Sequence, residues 1–236
     1  MARVFITGSA DGLGKLAAET LLAAGHEVVV HARSDARMPA LGARGVVGDL
    51  AKVDETRALA AAVNAIGTMD AVIHNAGVYD VPEIMAVNVI APYLLTALMA
   101  RPKRLVYLSS GMHRGGSSAR IGLGDGGSYS DSKLYVTAFA AAVARRWPDV
   151  VASSVDPGWV PTKMGGRNAP DPLHLGHETQ EWLAVSDDAA ARASGGHWHF
   201  GKRVDAHPAA NDHAFQDALL RALEQATGVT LPGARA

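Results

Sequence analysis

Short runs of β-branched and apolar residues alternate with stretches of helical period over roughly the first 156 residues, and this alternation leaves few architectures open. RVFIT, EVVVH, GVVG, DAVIHN, RLVYLSS and VVASSVD read as strands, and the segments 13–23, 54–66, 84–99 and 129–146 between them read as helices. Short strands joined by long helices need crossover connections. Those are right-handed and build a parallel sheet buried on both faces. The expectation is an α/β fold, a doubly wound parallel sheet with helices on both faces. At 236 residues one core suffices, so residues 1–236 are expected to form one domain.

The regularity stops after Asp156, where PGWVPTKMGGRNAPDPLHLGHET is rich in proline and glycine and carries no sustained period. This predicts an irregular substrate loop or lid over about 157–200. A short helix near 178–185, a last strand in GGHWHF and a helix over about 212–226 complete the expected elements. Lys and Arg number 22 against 23 Asp and Glu, a net charge of −1, so no excess charge points to nucleic acid or an anionic membrane. Cysteine is absent, which excludes a disulfide framework, a thiolate metal site and a cysteine nucleophile, and suits the cytosol. MARVFITG enters a strand directly, without a cationic stretch before an apolar signal region, and no later window is apolar enough to span a bilayer. A cytoplasmic protein acting on a small molecule is expected.

TGSADGLG places Gly8, Gly12 and Gly14 between the first strand and the first helix, with Ser9 and Leu13 among them. A tight turn, close backbone approach and a helix N-terminus at that point suit a pyrophosphate, the alternative being a bare turn. The spacing is Gly-x-x-x-Gly-x-Gly and not the Gly-x-Gly-x-x-Gly of the common dinucleotide fingerprint. A phosphate-loop NTPase is excluded, because Ser9 stands where that motif needs glycine and Leu16 where it needs Ser or Thr. The second strand ends in VVVHARS. An acidic residue there binds a ribose 2′-hydroxyl, but this chain has Ala32 followed by Arg33, whose guanidinium suits a 2′-phosphate. NADP is therefore favoured over NAD, with Arg37 and Ser34 as further phosphate contacts.

Tyr129 and Lys133, in YSDSK, stand four apart and share one face of a helix for which Ser128 is the expected cap. Many exposed helices carry such a pair. Here the preceding strand ends in LVYLSS, and ligands of parallel sheets lie at strand carboxyl ends. A free tyrosine is a poor base at neutral pH. An ammonium about 5 Å away, at an effective dielectric of about 20, favours phenolate by about 3 kcal/mol, or about two pKa units. Tyr129 can then exchange a proton with an alcohol or carbonyl oxygen while Ser110 holds that oxygen.

With TGSADGLG, GDL, NAG at 75–77, Asn88 in MAVNV, LSSG, YSDSK and PGWVPT in this order over residues 4–162, the chain resembles the short-chain dehydrogenases/reductases, of the compact single-domain branch. The resemblance implies a Rossmann sheet and a tetrad of Asn88, Ser110, Tyr129 and Lys133. Tyr129 is the implied acid/base, Ser110 the donor to the substrate oxygen, and Lys133 the ribose ligand that lowers the tyrosine pKa. Asn88 is implied to disturb its helix and seat a relay water. Pro92, four residues on, supplies a reason, since it has no N–H to offer the Asn88 carbonyl. A simple proline kink is the other reading. The resemblance also implies that Asp49 and Leu50 meet the adenine, that Asn75, Ala76 and Gly77 pack along the cofactor, and that Pro157, Gly158 and Thr162 meet its nicotinamide end.

The interval from Ser110 to Tyr129 is 19 positions, longer than in many relatives. HRGGSSARIGLGDGG fills it, resembling the form in retinol-dehydrogenase-like members, where a His also follows paired serines. Ser109 stays an alternative to Ser110, and His113 is expected as a solvated loop residue, with contact to substrate as the alternative. His174, His177, His197 and His199 lack a metal-binding pattern, so no metal is expected. The resemblance implies a homodimer or homotetramer through the two helices flanking the site; the small side chains of alanine-rich VTAFAAAVA suit close helix packing, and ordinary packing against the sheet explains them too. The implied function is hydride transfer between a nicotinamide cofactor and a carbonyl or secondary alcohol. A non-enzymatic NAD(P)-binding sensor has no need of the Tyr129 and Lys133 pair, and a sugar-nucleotide epimerase or dehydratase normally brings a larger C-terminal domain.

Overall fold

The computed structural model describes residues 1–124 and 127–234; Asp125 and Gly126, in the long interval before Tyr129, lie outside the described residues. Strands β1 (Arg3–Ile6), β2 (Glu27–Ala32), β3 (Arg44–Val47), β4 (Ala71–His74), β5 (Arg104–Leu108), β6 (Val151–Asp156), β7 (His197–His199) and β8 (Lys202–Val204) form one eight-stranded sheet in the order 3-2-1-4-5-6-7-8. β1 through β7 pair in parallel. From β1 the chain moves outward through β2 and β3, then crosses back to lay β4 on the other side of β1. That reversal opens a crevice at the carboxyl ends of β1 and β4, where sheets of this kind hold ligands.

Both faces are covered, as the unbroken apolar strands require. On one face α1 (Gly12–Ala23) and α5 (Leu173–Val185) enclose Val4, Ile6, Val28, Val30, Ile73 and Leu108. On the other, α2 (Val53–Ile66), α3 (Ala91–Leu98), α4 (Tyr129–Arg146) and α6 (His213–Thr227) enclose Phe5, Val29, Val72, Tyr107 and Phe139. α4 begins on the expected cap: the Ser128 hydroxyl accepts from Asp131 N–H (3.0 Å), and the Asp131 carboxylate accepts from Ser128 N–H. Such a cap contributes about 1 kcal/mol. Here it also fixes Tyr129 as the first residue of the helix.

Three features depart from the sequence reading. The helix expected over 84–99 is a π-helical turn at Ala86–Ile90 followed by α3, whose second residue is Pro92. Proline cannot donate to Asn88, and the bonding register loosens there. α5 begins at Leu173, inside the segment expected to be irregular, so the loop proper is 157–172. β8 returns antiparallel on β7, an edge addition too short to show a period in the sequence.

The chain's own C-terminus packs on α3 and α4. α6 lays Phe215, Leu219 and Leu223 on this core, with the Phe215 and Tyr135 rings 6.0 Å apart. Arg145 donates to Gln216 (2.9 Å). Beyond Gly228, in the left-handed conformation that ends α6, the Tyr93 hydroxyl donates to Val229 O (2.5 Å) and Trp147 Nε1–H to Pro232 O (2.7 Å). The VTAFAAAVA face is spent inside the chain, most of its residues having no more than 2 % of their surface exposed.

One buried acid on α5 has a measurable consequence. Burial, with Glu178 adding to it, pushes Glu181 up from 4.5 to about 8, and its Oε1 lies 2.5 Å from His177 Nδ1. The folded chain keeps a proton that the unfolded chain releases near 4.5. The group's contribution to stability is therefore full below that pH and is lost as pH rises to about 8. Denaturant unfolding of wild type and Glu181→Gln should show their stability difference shifting against the wild type across this window. A difference independent of pH would refute the assignment.

Candidate active site

The glycine loop is shaped by what presses on it. Gly8 and Gly12 have φ of 64° and 56°, in the left-handed region open to glycine. A Cβ on Gly8 would stand 2.8 Å from Ala76 Cα, and one on Gly14 would stand 2.3 Å from Asn75 Nδ2. The 75–76 turn is pinned to the loop, because Asn75 Nδ2 donates to Thr7 O (2.9 Å) and Gly8 O (3.1 Å) and Ala76 N–H donates to Thr7 Oγ1 (3.0 Å). Ser9 turns inward, its hydroxyl donating to Ile6 O (2.9 Å) and accepting from His31 N–H (2.7 Å).

Sequence reasoning passed over His31. Its Nδ1 accepts from Gly8 N–H (2.9 Å), so its proton is on Nε2, which donates to Gly48 O (2.8 Å). The ring joins the glycine loop to the turn that carries Asp49, and burial lowers its pKa, which keeps it neutral for both bonds. A histidine two residues before Arg33 was the available signal.

The loop forms one wall of a cleft of about 540 Å³ at the switch point. Gly8, Gly12, Leu13, Arg33, Asp49, Leu50, Asn75, Ala76, Gly77, Tyr129, Lys133, Pro157 and Thr162 all line it. Gly14 packs behind it, and Gly158 (φ 75°) leaves room for Phe200, whose Cζ is 2.4 Å from where a Cβ would sit. Arg33 and Arg37 stand at one end. Asp11 bridges Arg37 (2.9 Å) and Lys163 of the 157–172 loop (2.7 Å) across the mouth.

At the other end Tyr129 and Lys133 share a face of α4, with the ammonium 5.4 Å from the phenol ring centroid. Burial pushes the Lys133 pKa down to about 8, opposed by Asp156, and its Nζ donates to Leu108 O (2.9 Å). Tyr129 departs from expectation. Burial pushes it up to about 12, a hydrogen bond with Ser110 works the other way, and Asp156 and Tyr79 add to the rise. The lysine charge is spent on a carbonyl and lies over the ring instead of at the oxygen, so desolvation wins. The Tyr129 phenol keeps its proton at neutral pH.

The paired serines separate. Ser109 is buried, its hydroxyl 2.6 Å from Thr137 Oγ1, whereas Ser110 lies against the Tyr129 phenol and accepts from Met112 N–H (3.2 Å). Asn88 is a splint: Oδ1 accepts from Val78 N–H (2.9 Å), and Nδ2 donates to Val78 O (3.0 Å) and Ser132 Oγ (3.0 Å). Its side chain thereby ties the turn after β4 to α4. His113, expected in solvent, is fully buried. Asp156, absent from the sequence reading, ends β6 with Oδ1 accepting from Gly158 N–H (3.0 Å) and Oδ2 3.3 Å from His199. A carboxylate directly before PGWVPT was its signal. Tyr79 sets its ring edge-on to Tyr129 at 4.8 Å. Among the described residues no helix is long and apolar enough to cross a membrane.

The family model described as short chain dehydrogenase matches residues 2–172. An uncharacterized oxidoreductase of Emericella nidulans is 39% identical over 99% of this chain and 100% of its own length. The short-chain dehydrogenase chyC of Penicillium rubens is 38% identical over 98% of this chain and 100% of its own. Among solved structures, a blue fluorescent protein from a metagenomic library, determined in complex with NADPH, superposes with a TM-score of 0.69 at 20% identity, covering 83% of this chain and 94% of that one. With a family model spanning most of the sequence and full-length relatives at this identity, the chain belongs to the short-chain dehydrogenases/reductases and is an oxidoreductase of that family.

Proposed function

We propose that the protein reduces a carbonyl to an alcohol, or runs the reverse reaction, with NADP(H) as the hydride carrier. The observation that carries this reading is the meeting of Tyr129 and Lys133, with Ser110 hydrogen-bonded to the Tyr129 phenol, in a cleft that also holds a glycine loop and two arginines. The cleft fits a dinucleotide: Gly8 and Gly14 are backed so closely that no side chain fits, leaving bare backbone at the turn into α1. Ala32 leaves no carboxylate at the end of β2 to repel a 2′-phosphate, and Arg33 and Arg37 stand ready to bond one. The relative in this fold solved with NADPH supports the same choice. Bound NADPH supplies the hydride.

This chain supplies the rest. Ser110, with a lone pair held by Met112 N–H, directs its own proton to the substrate oxygen. Tyr129, protonated at neutral pH, donates its phenolic proton to that oxygen as negative charge develops there. Lys133, donating to Leu108 O, holds its ammonium 5.4 Å from the phenol ring centroid, and Asn88 holds the 78 turn against α4. A screen of NADPH oxidation across aldehydes and ketones tests the reading, and no turnover across the panel would overturn it. The cofactor choice has its own test. A charge-assisted hydrogen bond contributes about 1.5–3 kcal/mol, so Arg33→Ala should weaken NADPH binding about 10- to 100-fold. NADH affinity should barely change. Equal losses for both would refute the 2′-phosphate role.

A further inference from the structure

His113 lies in the long interval between Ser110 and Tyr129 and is one of the few fully buried polar side chains of the protein. Both ring nitrogens are committed to main chain. His207 N–H can only donate, and it points at Nε2 (3.0 Å), so Nε2 carries no proton. The proton is then on Nδ1, which faces Ser110 O at 2.7 Å, a group that can only accept. The same carbonyl also receives His113 N–H (3.0 Å). Ser110 sits in extended conformation (φ −167°, ψ 154°) at the head of the turn Gly111–Gly115. Its carbonyl is held by one residue twice. The far side of that residue is fastened to the segment after β8, where Arg114 also bonds Asp205 O. The His113 ring rests on buried His197 (centroids 4.6 Å apart), which is bonded to Ser154 Oγ (2.8 Å). Burial holds His113 below the usual imidazole range, consistent with a neutral ring in one tautomer.

We propose that His113 is a positioning residue for the reduction: its Nδ1–H fixes the main chain of Ser110 beside Tyr129, and its Nε2 anchors that strand end to the 205–207 crossing. This rests on the functional reading above, in which Ser110 and Tyr129 meet the substrate oxygen. The two halves of the imidazole can be tested separately, because an asparagine amide N–H reaches where Nδ1–H stands and a glutamine amide reaches where Nε2 stands.

The experiment measures steady-state kinetics with NADPH and para-nitrobenzaldehyde, together with NADPH affinity and Tm, for wild type, His113→Asn, His113→Gln and Tyr129→Phe. His113→Gln, which loses the bond to Ser110, should lower kcat by up to the order of 10²-fold, as misplacement of a reacting contact does, with NADPH affinity unchanged. His113→Asn should recover most of kcat even if its Tm is the lower of the two. Equal kcat in the two variants, or kcat following Tm, would overturn the positioning role while loss of activity in Tyr129→Phe left the functional reading standing. Full turnover by Tyr129→Phe would overturn both.

Discussion

Tyr129→Phe is expected to fold, bind NADPH as tightly as the wild type, and reduce carbonyl substrates on the order of 10³-fold more slowly, a loss of about 4 kcal/mol of transition-state stabilisation. The ring is largely buried and packs edge-on against Tyr79, and phenylalanine keeps both contacts. What disappears is the proton that burial keeps on the oxygen at neutral pH. Lys133 is spent on Leu108 O, and Ser110 is a hydrogen-bond donor without an acid's pKa. The loss should fall on kcat. If kcat survives while KM rises, the phenol is a binding contact and the proton comes from elsewhere. Ultraviolet titration of the tyrosinate gives a second readout. The wild-type signal that Tyr129→Phe removes should appear near pH 12, above the ordinary tyrosine value of 10.

Gly8→Ala should damage fold and cofactor site together. The backbone at Gly8 is left-handed, which costs an alanine about 1–2 kcal/mol, and the new methyl would meet Ala76 Cα at 2.8 Å, main chain against main chain with no side chain to swing aside. Overpacking of this kind costs a further 1–3 kcal/mol or so. A total near 3 kcal/mol lowers Tm by about 6–12 °C for a chain of this size. Because Asn75 and His31 are bonded to Thr7 and Gly8, displacement of the loop also moves the 75–77 turn and the Asp49 turn. NADPH affinity should fall by at least about 100-fold, some 2.7 kcal/mol. Unchanged Tm and affinity would mean that the loop neither needs glycine at this position nor lies against the ligand.

Local chemistry was legible in the sequence wherever one segment decided the outcome. The strand and helix periods place the sheet, Ser128 starts α4 at Tyr129, and Pro92 coincides with the π-helical turn at Asn88. Properties that depend on distant segments were not legible. His31 and His113 each look like a polar residue near a loop until the strands close and give both ring nitrogens main-chain partners, of which only Ser110 O is near in sequence. The sign of the Tyr129 shift was missed for a related reason. A pairwise estimate with Lys133 counts the charge, and sequence shows neither the depth of burial nor the carbonyl that claims the ammonium. Asp156 was overlooked because its influence on Tyr129 and Lys133 comes from folding β6 beside β5.

The C-terminal arm changes what supports the helix that begins with Tyr129. α4 carries Tyr129 at one end and receives Phe215, Gln216 and Trp147's bond to Pro232 farther along, all from the same polypeptide. A brace built from another molecule weakens by mass action as the protein is diluted, whereas a tethered one has a local concentration set by chain connectivity. The contacts that the C-terminal arm makes with α4 therefore do not weaken on dilution, and severing the last two dozen or so residues would strip them.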